Sequence, residues 1–185
     1  MKSSFPNYYR LLLAALLVLP GCAAVVVEGA NIAKDQVVYA NNIDAARNGN
    51  AEAQYSVGNS LCCALNETDD GFYNTPRAVD WLCRAAAQNH GPAAFRLGEI
   101  YSGDTVSGLR MMREVATTVA GNTTNGPVAY AWMNRAASLG VRNAVKERDD
   151  IWKKLSADER VTAQSLASGS TPVSYTHLRA HETLR

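Results

Sequence analysis

The stretch Ala45-Ala46-Arg47-Asn48-Gly49-Asn50-Ala51-Glu52-Ala53-Gln54-Tyr55-Ser56-Val57-Gly58 realigns 40 residues later with Ala85-Ala86-Ala87-Gln88-Asn89-His90-Gly91-Pro92-Ala93-Ala94-Phe95-Arg96-Leu97-Gly98. A further shift of 51 carries Pro76, Ala78, Trp81, Arg84, Ala85 and Ala86 onto Pro127, Ala129, Trp132, Arg135, Ala136 and Ala137. A period of this size marks stacked supersecondary units, each unable to bury its apolar face alone. Within the units the apolar residues follow the 3.6-residue spacing of helices: Ala53, Val57, Gly58 and Leu61, then Ala78, Trp81, Leu82, Ala85 and Ala86. The expected class is all-α.

Working outward, a first helix is expected from Asn31 to Asn48, stopped by Gly49, and a second from about Ala51 to Ala64. Thr75-Pro76 reads as a helix start, a hydroxyl that can cap followed by proline at the first helical position. Asn89 stands where the preceding unit has Gly49, which predicts a left-handed residue at that helix end. The second unit places Ala93, Leu97, Gly98 and Tyr101 in the matching positions. Its connection to Pro127 is longer, and Leu109, Met112, Val115 and Val119 are spaced for a short extra helix there. Arg110, Met111, Met112 and Arg113 are equally readable as a contact patch or, for Met112, as core. After Gly140 the repeat degenerates: Lys146, Arg148 and Asp149 replace Phe95, Leu97 and Gly98, as suits a polar terminal cap. Ser156-Ala157-Asp158-Glu159 is a capping box that opens a last helix.

Gly58 and Gly98 occupy helix interiors, where glycine costs about 1 kcal/mol relative to alanine. Recurrence at equivalent positions implies that close approach of a facing helix offsets the cost. The expected small partners are Ala45/Ala46, Ala85/Ala86 and Ala136/Ala137, with Trp81 and Trp132 filling the wider end of each pair.

The two ends of the chain read differently. Lys2 and Arg10 precede an apolar run from Leu11 to Leu19, too short to span a bilayer as a mature helix, so residues 1–21 are expected to be an export signal. Leu19-Pro20-Gly21-Cys22 resembles the bacterial lipobox, which implies acylation of Cys22 at the mature N-terminus. Ala23 stands where retention in the inner membrane calls for Asp, so the resemblance implies a lipid-anchored protein of the outer membrane that faces the periplasm. Residues 22–30 would then be a tether, and the lipid the route to the membrane. At the other end, Val173-Ser174-Tyr175-Thr176-His177-Leu178-Arg179-Ala180-His181-Glu182-Thr183 resembles the translation of a common transposon sequencing adaptor. Residues 169–185 are therefore expected to be a disordered, non-native tail, and His177 and His181 are set aside as metal ligands.

The 18 basic residues of the 185-residue chain fall to 14 when Lys2, Arg10, Arg179 and Arg185 are set aside. The 17 acidic ones fall to 16 without Glu182. A net charge of −2 offers no electrostatic footprint for nucleic acid. Three cysteines remain after Cys22. In an oxidising compartment one disulfide with a leftover thiol is expected, three buried thiols being the alternative. Cys62, Cys63, Cys83 and His90 lack the paired short spacings of a structural zinc site. Glu67, Asp69 and Asp70 lack the alternation of a calcium loop and read as a solvated acidic turn.

The strings A-E-A-Q-Y-x-x-G at Ala51–Gly58 and W-x-x-R-A-A at Trp81–Ala86 and Trp132–Ala137 resemble the Sel-1-like repeat, a relative of the tetratricopeptide repeat. The resemblance covers about residues 45–144. It implies a right-handed solenoid of antiparallel αα-hairpins over residues 31–143, closed by capping helices over 144–168. Its signature positions here are Ala53, Gly58, Trp81, Ala85, Ala86, Gly98, Tyr101, Trp132, Ala136 and Ala137. Leu61 departs from the usual Tyr, and the glycine-rich turn after it is missing. The resemblance further implies that Cys83 pairs with Cys62 or Cys63.

No catalytic signature is present: S-x-x-K and H-E-x-x-H are missing, and Gly58-Asn59-Ser60-Leu61-Cys62 fails G-x-S-x-G at its last place. The expected function is that of a non-enzymatic scaffold without cofactor or metal, presenting a helical surface to an envelope protein. The alternative is a binder or weak hydrolase of cell-wall material, such as a β-lactam or muropeptide-like molecule. For His90 the expected role is hydrogen bonding to a helix junction rather than catalysis.

Overall fold

The computed structural model describes residues 31–63, 67, 71–103 and 125–169. The expected signal segment, Cys22, the expected tether, residues 104–124 with the expected contact patch, and the tail from residue 170 lie outside the described residues, as do Asp69 and Asp70. Every regular element among the described residues is an α-helix. The first, α1, covers 31–47. It is followed by α2 (Ala51–Leu61), α3 (Thr75–Ala87), α4 (Gly91–Ser102), α5 (Gly126–Ser138), α6 (Ala144–Lys154) and α7 (Ala157–Ser168). None of the described helices is long and apolar enough to cross a membrane.

Three helices end in the same way. At the end of α1, Gly49 N–H donates to Ala46 O at 3.1 Å and Asn50 N–H to Ala45 O at 3.1 Å. At the end of α3, Asn89 and His90 repeat these bonds to Ala86 and Ala85, at 3.0 and 3.3 Å. Gly140 and Val141 repeat them to Ala137 and Ala136 after α5, both at 3.0 Å. This is the Schellman pattern, and it requires a left-handed residue at its turning point. Gly49, Asn89 and Gly140 supply it with φ of 92°, 64° and 75°. Asn89 is the exception that carries a Cβ, and its Oδ1 accepts from Arg135 Nη2 on α5. Asn89→Ala is expected to destabilise the fold by about 1–2 kcal/mol, the left-handed penalty of a Cβ that lacks a local polar group. The check is a lowered urea midpoint at unchanged slope, with Asn89→Gly closer to wild type.

The helix starts are set by side-chain caps. Asn50 Oδ1 accepts from Ala53 N at 2.8 Å, Asn74 Oδ1 from Arg77 N at 3.0 Å, and Asn125 Oδ1 from Val128 N at 3.1 Å. The cap of α3 is thus Asn74, one residue before the expected Thr75, which sits inside the first turn with Pro76. Ser156 and Glu159 form the full reciprocal box at α7. The second helix stops three residues short of expectation, because Cys62 is extended and Cys63 adopts a left-handed φ of 76°.

Packing is built on pairs. Leu61 O accepts from Asn74 N at 2.8 Å and Tyr101 O from Asn125 N at 2.9 Å, the same closing bond at repeat-equivalent positions. Along α2 and α3 the contacts run in opposite senses: Gln88 Nε2 donates to Gln54 Oε1 at 2.8 Å, and Gly58 faces Leu82 and Ala78. The two helices are therefore antiparallel. α4 packs on α5 in the same way, with Gly98 facing Met133, while α3 joins the pairs by packing on α4. Both α6 and α7 rest on α5. α1 is held by Gln54 Nε2, which donates to Ala46 O at 3.1 Å, and by Tyr73, whose hydroxyl donates to Asp35 at 2.9 Å.

The glycines do admit a close neighbour, but it is not an alanine pair. A Cβ at Gly58 would stand 2.7 Å from Leu82 Cγ and 3.1 Å from the Ala78 carbonyl oxygen. A Cβ at Gly98 would stand 2.7 Å from Met133 Cγ. Leu82 and Met133 follow Trp81 and Trp132, so the repeat crosses each glycine with a long, unbranched or γ-branched side chain. The alanines serve elsewhere: Ala85, Ala86 and Ala136 are fully buried, Ala53 is buried, and Ala137 is half-buried against the core. The two tryptophans are not equivalent in burial, Trp132 being core and Trp81 half-buried under the Arg84 guanidinium at 4.7 Å.

The terminal helices carry charge where the repeats carry core. On α6, Asp150 accepts from Lys153 at 2.8 Å and Lys146 at 3.0 Å, bonds that hold its carboxyl down to about 2. These groups are exposed, and pairs of this kind contribute little stability. α7 buries only Ala163.

Candidate functional site

Half-buried residues recur at matching positions of α2 and α4. Tyr55, Ser56 and Asn59 on α2 correspond, at the 40-residue shift, to Phe95, Arg96 and Glu99 on α4. Positions i, i+1 and i+4 share one helix face, so each helix offers an aromatic body flanked by polar heads. Arg96 Nη1 donates to Glu99 Oε2 at 3.0 Å, and their side chains are 20% and 29% exposed. Arg96 Nε is buried and has no hydrogen-bond partner among the described residues. Tyrosine, phenylalanine and arginine in this half-buried state are the residue types enriched where proteins meet.

The cysteines are arranged otherwise than expected. Cys83 is a free thiol, and the Cys62 and Cys63 sulfurs lie against each other at the end of α2. The expected bond from Cys83 to Cys62 or Cys63 is not formed, and for Cys63 position along α3 gives a reason. Cys63 Sγ lies 3.8 Å from the Thr75 hydroxyl, beside the first turn of that helix. Cys83 comes eight residues later, roughly 12 Å of helical rise, whereas disulfides need Cα atoms within about 7 Å. Its thiol is placed instead near Tyr101 and Asp80. Burial first, and the Asp80 charge second, push the Cys83 thiol up from 9.0 to about 12. Burial and the same neighbours also raise the Tyr101 phenol.

A thiol held protonated is a poor nucleophile. Cys83 in the folded protein is therefore expected to resist iodoacetamide at neutral pH and to react after unfolding, read by mass spectrometry of tryptic peptides. The sign of the pH effect follows. An acid whose folded value exceeds its unfolded value stabilises the fold below the unfolded value, and that contribution is lost as pH rises from about 9 towards 12.

Two polar residues tie helix starts to the rest of the fold. Glu67 is not merely a solvated acidic residue. Its carboxylate accepts from Cys63 N at 3.0 Å and Thr75 N at 2.9 Å, and from the Thr75 hydroxyl, so it ties the 62–74 loop to the start of α3. A negative group at a helix N-terminus is also favoured by the macrodipole. Nothing in the local sequence marks Glu67 for this, since two of its partners are backbone N–H groups, four residues before it and eight after it. His90 caps α4: Nδ1 accepts from Ala93 N at 3.1 Å, while Nε2 lies 2.9 Å from Glu52 Oε2 on α2. The junction role was legible from its place between two helices. Among the described residues no group of three or more His, Cys, Asp or Glu converges as a metal site would require.

Comparison of the chain with protein-family models, with curated proteins and with solved structures returns no match.

Proposed function

We propose that this chain is a Sel-1-like repeat lipoprotein. In this reading its αα-hairpins stack as a right-handed solenoid, α6 and α7 cap the C-terminal end, and an acylated Cys22 tethers it to the outer membrane, facing the periplasm. Its role is that of a non-enzymatic scaffold that binds another envelope protein. The observation that carries the reading is recurrence in hydrogen bonding as well as in sequence: three matching helix ends and two matching loop closures. Repeats of this kind present an extended surface, and the Tyr55/Phe95 and Arg96/Glu99 face has the composition of one.

Two measurements test it. Labelled palmitate is expected to enter the wild-type chain and not Cys22→Ala; equal labelling removes the anchor from the proposal. A photo-crosslinker at Phe95 in living cells is expected to trap one stoichiometric protein adduct, with none from the exposed Lys154 of the cap. Arg96→Gln, which removes the charge and keeps a half-buried polar side chain, should abolish that adduct with the helical circular-dichroism spectrum retained. Adducts that are equal at both positions count against a scaffold face on α2 and α4.

A further inference from the structure

The cap of α4 differs in kind from the others. Asn50, Asn74, Asn125 and Ser156 close α2, α3, α5 and α7 with amide or hydroxyl oxygens that do not titrate between pH 5 and 8. At the position equivalent to Asn50 the second unit has His90, whose Nδ1 does the same work for the Ala93 N–H. From this geometry we infer that His90 is a protonation-sensitive clasp between successive repeat units, closed with a neutral imidazole and opened at α4 when the ring gains a second proton.

The two bonds fix the ring. An imidazole that accepts at Nδ1 carries its proton on Nε2, and that N–H is the group facing the Glu52 carboxylate at 2.9 Å. A flipped ring would present carbon to both partners. Tyr55 lies against one face with ring centroids 4.9 Å apart, and the His90 side chain is only 13% exposed. The ionisable groups that the structure sets against it are Glu52 and Tyr55 from α2, with Arg135 of α5 held on the adjacent Asn89.

A second proton has one place to go, Nδ1. There it converts the acceptor into a donor aimed at another N–H, and it sets a positive charge against the positive end of α4. The Glu52 carboxylate attracts a charged ring, so opposing effects act on whole-molecule stability while the Ala93 bond is lost in either case. The ring stays on α2 and releases α4. The consequence extends beyond one bond, because the first turn of α4 carries Gly91, packed so tightly that a Cβ there would lie 2.7 Å from Val141 and 3.3 Å from Leu139. Loosening that turn reaches the joint between α5 and α6. This inference does not rest on the identity of any partner.

The test is amide exchange of the full chain by NMR from about pH 8 to about pH 5, the interval in which histidine titrates. The protection factor of Ala93 is expected to fall by up to the roughly fivefold worth of a full cap, since the His90 carbonyl also accepts from that N–H at 3.1 Å. Ala53, capped by Asn50, serves as the internal control and should not change. In His90→Asn the Ala93 protection should be flat with pH; His90→Ser gives the same reading if that variant folds poorly. The inference is overturned if the His90 ring signals titrate while Ala93 protection holds. It is overturned equally if Ala53 falls in parallel, or if a non-titrating cap leaves the pH response intact.

Discussion

Leu82→Ala is expected to be among the most damaging single changes in the chain, lowering stability by about 3–4 kcal/mol. Leu82 is fully buried and lies across Gly58, so its side chain fills the gap that the missing Cβ creates. Truncation removes the transfer free energy of its apolar carbons and leaves a cavity on both sides of the α2–α3 contact. The neighbours are poorly placed to collapse into it. Ala78, Ala85 and Ala86 have no side-chain length to extend, and Gly58 has none at all. Cavity terms are largest where the surroundings cannot relax, which places this site towards the upper part of the usual range. Calorimetry should show a drop of the order of 10 °C or more. Leu97→Ala on α4, also fully buried, provides the comparison for a core leucine that does not cross a glycine.

What the sequence disclosed, and what it concealed, divides along the distance over which each feature is determined. The left-handed residue at Asn89, the helix that follows Asn31 and the reciprocal box at Ser156 depend on a few neighbouring residues, and all are legible from them. Recurrence of glycine inside a helix correctly implied a close crossing. The identity of the crossing residue did not follow, because it depends on the register between two helices separated by a loop. Leu82 rather than Ala85 meets Gly58 for that reason. The cysteines show the same limit more sharply. Proximity in a helical pair is measured along the axis at about 1.5 Å per residue, and the first turn of α3, not its middle, is what faces Cys63. The candidate contact face was implicit in the 40-residue shift, but its half-burial emerges only when α3 and α5 have covered the opposite sides of α2 and α4. Glu67 is the clearest case of a role that composition cannot assign, since an acidic loop residue looks the same whether it is solvated or tied to backbone.

Gly58 and Gly98, equivalent in the 40-residue repeat, should respond differently to the same substitution. Alanine gains about 1 kcal/mol over glycine in a helix interior, so the sign of each change depends on whether steric cost exceeds that gain. At Gly58 the new methyl meets two carbons of Leu82 at 2.7 and 2.9 Å and the Ala78 carbonyl oxygen at 3.1 Å. The leucine is fully buried and the carbonyl is part of a helix backbone, so neither can withdraw without moving α3. Overpacking of this kind costs about 1–3 kcal/mol, and Gly58→Ala is expected to be destabilising by about 1–2 kcal/mol net. At Gly98 the neighbours are the Cγ, Cε and sulfur of Met133, a side chain with three rotatable bonds that fills irregular space. Met133 is as fully buried as Leu82 and its Cγ is the nearest atom, but none of the three nearest atoms belongs to backbone. Gly98→Ala should therefore be less destabilising than Gly58→Ala, at about 0–1 kcal/mol net. A double-mutant cycle isolates the cause. In a Leu82→Ala background the methyl at position 58 enters the cavity it formerly lacked, so Gly58→Ala should become neutral or stabilising, with a coupling of about 1–3 kcal/mol. Additive losses would mean that Gly58 is required for its backbone rather than for the room it leaves, and the account of paired helices meeting at glycine would fail at its central contact.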